Sequence, residues 1–164
     1  MALRRFWPSL GRGSEMSALE KVKESLVSLV SSVDEISVRR LVARAEPKDL
    51  KPIFRKLLED FKEDFYLDFL AVVDYPDEKQ IEANYNLWFY SLKTILSVKF
   101  RLPRDSPTID SISALVPSAV FHEQEAYDLM GVSFSGNSNL KRGFFVAEEA
   151  QGSFPLRKED AKEA

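Results

Sequence analysis

The densest group of chemically capable side chains lies between Phe121 and Met130 (FHEQEAYDLM). If this stretch is helical, Gln124 and Asp128 stand four apart and Glu125 and Asp128 three apart, so they share a face. Paired carboxylates on one helix face suit acid–base work or a metal ion, and His122 with Glu125 offers two ligands at helical spacing. A metal would need further ligands from elsewhere. The sequence holds one histidine and no cysteine, so few remain to supply them. Acids near a helix start are also favoured by its dipole, which accounts for Glu123 and Glu125 without chemistry. The reading favoured from the residues alone is electrostatic: Glu125 and Asp128 face Arg142 or Arg157 and hold the segment that follows.

Those two counts close off much else. With Cys 0 and His 1 in 164 residues, the chain forms no disulfide, no thiolate-held iron–sulfur cluster and no Cys/His zinc site. Lys plus Arg is 23 against 26 for Asp plus Glu, a net charge of −3. That balance argues against a general nucleic-acid binder, whose affinity comes from neutralising phosphates. The glycines match neither a P-loop nor a dinucleotide fingerprint. No catalytic, cofactor or metal residue is assigned to this chain.

The elements that must position the cluster follow from periodicity. No apolar run approaches the roughly 20 residues that span a bilayer. Residues 1–16 read as a flexible extension, with Met16 a second place to begin, and without signal or span the expected address is the cytoplasm. From Ser17, Leu19, Val22, Leu26, Leu29, Val30 and Val33 form one helical stripe. Ile36 to Ala45 reads as a strand. A second helix, capped by Asp49, buries Leu50, Phe54, Leu57, Leu58 and Phe61. Phe65–Asp74, Ile81–Ser91 and Ile95–Leu102 read as strands, the last two with strict alternation of apolar and polar residues, the sign of an antiparallel sheet covered on one side. Thr108–Val116 is a further strand candidate. The sum is an α+β fold: a small, mostly antiparallel sheet with helices on one face, spanning 17–131, and a last helix, Ala119–Met130, ended by Gly131.

Beyond Gly131 periodicity stops. Residues 132–164 still carry Phe134, Leu140, Phe144, Phe145, Val146, Phe154 and Leu156, with Pro155 and the doublets Lys141–Arg142 and Arg157–Lys158. Apolar anchors without a helix or strand suggest a long irregular strap laid over a surface, either a partner's or the domain's own.

The stretch from Phe121 to Asp160 resembles the signature of the thirty-kilodalton subunit of respiratory complex I (NADH dehydrogenase), a family that extends to complex I-like membrane-bound hydrogenases and related archaeal complexes. An aromatic residue, a Glu-x-Glu pair, Tyr-Asp, then Gly and Phe are matched by Phe121, Glu123, Glu125, Tyr127, Asp128, Gly131 and Phe134. Gly136, Leu140 and Arg142 match the next block, and Gly152, Pro155, Leu156, Arg157 and Lys158 the closing one. Asn137 stands where the family usually has histidine and Glu159 where it often has aspartate, which tilts the reading toward a divergent hydrogenase-type or sulfur-reducing relative.

The resemblance implies a non-catalytic scaffold of the peripheral arm of a membrane-bound, ion-translocating oxidoreductase, on the cytoplasmic face of the cell membrane. It implies partners resembling the hydrogenase large subunit and an iron–sulfur small subunit. Iron–sulfur clusters, and in some relatives nickel–iron, would sit in those partners and no cofactor in this chain. Glu123, Glu125, Tyr127 and Asp128 would hold the bend from helix to strap, Arg142 and Arg157 would anchor it, and Phe144, Phe145, Pro155 and Leu156 would meet the partner. The competing expectation is a stand-alone protein-binding module using its C-terminal segment. A carboxylate hydrolase built on Glu125 and Asp128 ranks last.

Overall fold

Strand β4 (Gln80–Phe89) shows why this sequence makes a one-sided sheet. Ile81, Ala83, Tyr85, Leu87 and Phe89 are fully buried on one face, while Glu82, Asn84 and Asn86 alternate onto the other. The computed structural model describes residues 12–150 and 152–158. In it β4 lies between β3 (Phe65–Tyr75) and β5 (Thr94–Pro103), antiparallel to both. Beyond β5 the sheet continues through β2 (Arg40–Ala45), parallel to β5, to β1 (Ser32–Ser37), antiparallel to β2. The order is β1-β2-β5-β4-β3, a five-stranded, mostly antiparallel sheet.

Helices α1 (Arg12–Leu26), α2 (Leu50–Phe61) and α3 (Ala119–Met130) join the apolar face in one core. Leu19, Val22 and Leu26 come from α1, Leu50, Ile53, Phe54 and Leu57 from α2, and Ala119, Ala126 and Met130 from α3. Their strand partners include Leu41, Ala43, Tyr85, Leu87, Val98 and Phe100. At its centre Phe54 and Phe100 meet the Tyr85 ring edge-on, at 5.6 and 5.8 Å between centroids.

Several sequence expectations take a different form here. The N-terminal extension expected over 1–16 lies outside the described residues as far as residue 11, and α1 takes up the chain from Arg12. The single strand expected over Ile36–Ala45 is a hairpin, β1 turning at Val38–Arg39 into β2. Val33, placed on the first helix by its spacing, faces Ala43 across that hairpin. A turn with no Gly, Asn or Pro leaves no local mark in the sequence. The strand expected over Thr108–Val116 shrinks to β6 (Thr108–Asp110), because Ser111 and the Ile112 amide turn away to a buried carboxylate on α3. The chain also stays in the domain past Gly131: β7 (Ser133–Ser135) runs parallel to β6, and Val132 and Phe134 are buried in the core.

The Tyr85 hydroxyl is buried and has no hydrogen-bond partner among the described residues. An unmet buried hydroxyl costs about 1–3 kcal/mol. Tyr85→Phe is therefore expected to match or exceed the parent chain in stability by about 1 kcal/mol, read from urea unfolding midpoints. A loss above that amount would show that the hydroxyl has a partner in solution.

Candidate functional site

A helix ends with carbonyls that its own backbone cannot satisfy. At the end of α3, Gly131 takes the left-handed conformation (φ +71°), which glycine adopts without a side-chain penalty. Its N–H donates to the Tyr127 carbonyl at 3.0 Å, and the Val132 N–H reaches Ala126 at 3.4 Å. The next three carbonyls are met from the strap. An Arg142 guanidinium nitrogen donates to the carbonyl of Asp128, the Leu156 N–H to Leu129 at 3.3 Å, and Arg157 Nε to Met130 at 2.9 Å. Two cations at a helix C-terminus also oppose its dipole.

The Asp128 side chain holds the same strap from one turn earlier. Its fully buried carboxylate accepts the N–H of Gly143 at 2.9 Å, of Phe145 at 2.6 Å and of Val146 at 3.0 Å, and pairs with Arg142 at 3.1 Å. Burial alone would push this carboxyl up. The amides of Phe145, Gly143 and Val146, with Arg142, outweigh it and hold the group below the usual carboxylate range. Gln124, one turn earlier still, grips Lys141 from both sides: its Nε2 donates to the Lys141 carbonyl at 2.6 Å and its Oε1 accepts the Lys141 N–H at 2.9 Å.

The far end of the strap closes on Gly131. Arg142 and Arg157 each stand over the Phe154 ring at 4.7 Å. A Cβ on Gly131 would come within 2.5 Å of the Phe154 ring. Lys158 then donates its N–H to Asp74 at 3.1 Å, a carboxylate already bound by Arg104 at 2.7 and 2.9 Å. Arg104 chiefly, against some desolvation and with help from the Lys158 amide, lowers the Asp74 pKa.

Glu123 works on the opposite side of α3. It is fully buried and accepts Ser111 Oγ at 2.6 Å, the Ile112 N–H at 2.9 Å and Asn137 Nδ2 at 2.8 Å, tying the segment after β6 to the turn after β7. Here burial dominates its hydrogen bonds and raises the carboxyl above its ordinary range.

The sequence-predicted residues therefore part company. Glu123, Asp128, Arg142 and Arg157 are bonded within the chain, Arg157 among others to the Met130 carbonyl. Tyr127 and Pro155 are half-buried. Glu125 is exposed beside an apolar groove that Leu70, Val72, Ala126, Leu129 and Leu156 also line, so it and the buried Asp128 do not share a pocket. Phe144 (52% exposed), Phe145 (47%) and Leu156 (59%) face solvent. Phe121 (64%) joins the first two, 6.4 Å from Phe144, which is 5.0 Å from Phe145. Gln124 and Phe154 do more than their sequence context announced; a helical Gln one turn before Asp128 was the available signal for the first.

The family described as "Respiratory-chain NADH dehydrogenase, 30 Kd subunit" matches residues 43–164. An F(420)H(2) dehydrogenase subunit of Methanosarcina mazei is 38% identical over 87 residues, 53% of this chain and 54% of that protein. The chain thus spans about half the length of that relative (54%). An NADH-quinone oxidoreductase subunit of Moorella thermoacetica is 39% identical over 106 residues, 63% of this chain and 70% of that one. Among solved structures, a chain of the membrane-bound sulfane sulfur reductase, an archaeal respiratory membrane complex, superposes with a TM-score of 0.77 at 26% identity, covering 91% of this chain and 85% of its own.

Asp128→Asn puts an amide donor against backbone donors and is expected to cost about 3 kcal/mol at neutral pH. Because the folded-state pKa is depressed, the carboxylate's contribution is fully present above the ordinary aspartate value of about 3.9 and is lost as pH falls through the folded value. The gap between parent and variant should therefore narrow in acid. A pH-independent gap in urea titrations would refute this account. Gly131→Ala should cost at least about 1 kcal/mol from φ alone and also unseat Phe154, read as faster hydrogen exchange at 153–158.

Proposed function

Because the chain belongs to the family of the 30 kDa subunit of respiratory-chain NADH dehydrogenase, we propose that it is a non-catalytic scaffold subunit in the peripheral arm of a membrane-bound, complex I-like oxidoreductase. It supports electron transfer coupled to ion translocation by fixing the positions of redox subunits. Its partners are a protein resembling the hydrogenase large subunit and an iron–sulfur small-subunit-like protein, and the redox centres lie in them. The likeness to a sulfane sulfur reductase chain and to a subunit of F(420)H(2) dehydrogenase supports a hydrogenase-type or sulfur-reducing relative. Attachment to the cytoplasmic face of the membrane is then indirect, through the complex; no described helix is long and apolar enough to cross a bilayer.

The observation that carries this reading is the exposed group Phe121, Phe144 and Phe145, displayed on backbone that Asp128 holds from beneath. Large exposed rings on a fixed backbone bury apolar area on docking and lose little conformational freedom. In this reading the partner-binding strap, expected over 132–164, makes its outward contacts after β7. Phe144, Phe145, Pro155 and Leu156 meet the neighbour, and Glu123, Asp128, Arg142 and Arg157 hold the display from within.

The double variant Phe144→Ser, Phe145→Ser keeps the bonds of Gly143, Phe145 and Val146 to Asp128, since those use backbone N–H groups. The isolated chain should unfold at an unchanged midpoint, and co-purification with the membrane complex should fall at least about tenfold, consistent with loss of two interface anchors. Undiminished recovery of the variant in the complex refutes the interface. A parent chain that leaves the membrane fraction on dilution and salt washing points instead to a transient binding module.

A further inference from the structure

The open face of the sheet is polar at its centre and aromatic at one corner. Strand β3 is an edge strand, and its ladder with β4 slips between Leu67, opposite Leu87, and Phe69, opposite Asn86. Asp68 is the extra residue of that bulge and is exposed. Bulges on edge strands redirect a side chain and discourage open-ended strand pairing. Around it stand Tyr66 (39% exposed), Phe69 (46%) and Tyr90 (57%), with the half-buried Trp88 directly across from Tyr66. The Tyr66 and Tyr90 rings lie 5.2 Å apart, tilted by 34°.

Charge selects what fits there. Elsewhere on this face Glu82 pairs with Lys99 at 3.0 Å and Arg101 at 2.8 Å, and Asp34 with Arg44 at 2.6 Å, while the exposed Arg40 lies three strands from Tyr66 in the same row. Asp68 forms no ion pair among the described residues. Its charge bears on Tyr66, whose hydroxyl is held above the ordinary phenol range by partial desolvation first, then by Asp68 and Tyr90. Ring faces carry negative potential and the carboxylate is anionic, so the corner is complementary to a cation. A planar guanidinium can stack on a ring while forking onto a carboxylate, which a compact ammonium cannot do. One carboxylate among rings is no metal site.

We propose that Tyr66, Asp68, Phe69 and Tyr90 form a second docking point, separate from the strap, that receives an arginine side chain of a neighbouring subunit. The inference rests on the reading of the chain as one subunit of a larger assembly. It makes the chain a bridge, held at the end of α3 by apolar contact and at the β3 bulge by a salt-sensitive one.

Hydroxyl-radical footprinting of the full chain, isolated and in its purified complex, tests this. Tyr66, Phe69 and Tyr90 should be oxidised several-fold more slowly in the complex. Asp68→Lys should lower retention in the complex about tenfold, with Asp68→Glu restoring most of it and Asp68→Asn falling between, the differences shrinking in high salt. Equal oxidation in the two states, or slow oxidation already in the isolated chain, overturns the proposal, as does full retention of Asp68→Lys. Phe144 and Phe145 report separately in the same experiment. Protection there without protection at Tyr66, Phe69 and Tyr90 refutes this docking point alone; no protection at either place refutes the subunit reading itself.

Discussion

The C-terminal third of this chain depends on the need of α3 to satisfy its last carbonyls. Helices usually meet that need with water or with a few following residues. Here residues from 142 to 157 do it, and one buried carboxylate, Asp128, gathers the backbone of the same segment. An irregular segment has no ladder of its own, so its N–H groups need acceptors from elsewhere. The helix end needs donors and the strap needs acceptors, and each supplies what the other lacks. That reciprocity fixes a loop without making it a strand or a helix.

Two buried acids on α3 show how different surroundings sort similar groups. Glu123 accepts three donors that are all neutral, and desolvation prevails, so its proton is held more tightly than usual. Asp128 accepts three backbone amides and has a guanidinium beside it, and its proton is held less tightly. The first joins parts of the globule to one another, and the second joins the globule to the strap. Neither leaves an oxygen facing open solvent in the manner of a working acid or base.

Much of this was legible in the sequence, for reasons that differ by element. The alternation in Ile81–Phe89 and Leu96–Leu102 gave strands, their buried faces and an α+β fold, because one-sided burial imposes period two directly. The Phe121–Met130 cluster and Gly131 marked a helix, its end and the residues that meet the strap. The β1–β2 hairpin was hidden, since Val38–Arg39 is a turn without turn residues and Val33 continues a helical spacing by coincidence. The parallel pairing of β6 with β7 was hidden as well: three-residue strands carry too little pattern, and their pairing joins segments more than twenty positions apart. The clamp of Arg142 and Arg157 on Phe154 lay beyond reach for the same reason. The cations and the ring were visible as types, but the glycine face that seats the ring belongs to the geometry of the helix end.

The β6–α3–β7 arrangement has a consequence in time. A parallel pair joined by a helix closes only after that helix has formed and crossed over. The carbonyls that receive Arg142, Leu156 and Arg157 exist as a docking surface only once that crossover is complete. The phenylalanines at 144 and 145 therefore hold fixed positions only where the end of α3 and its Asp128 are in place. A chain whose α3 end is incomplete lacks the ordered form of that surface, so the display of these rings reports on the state of the helix beneath them.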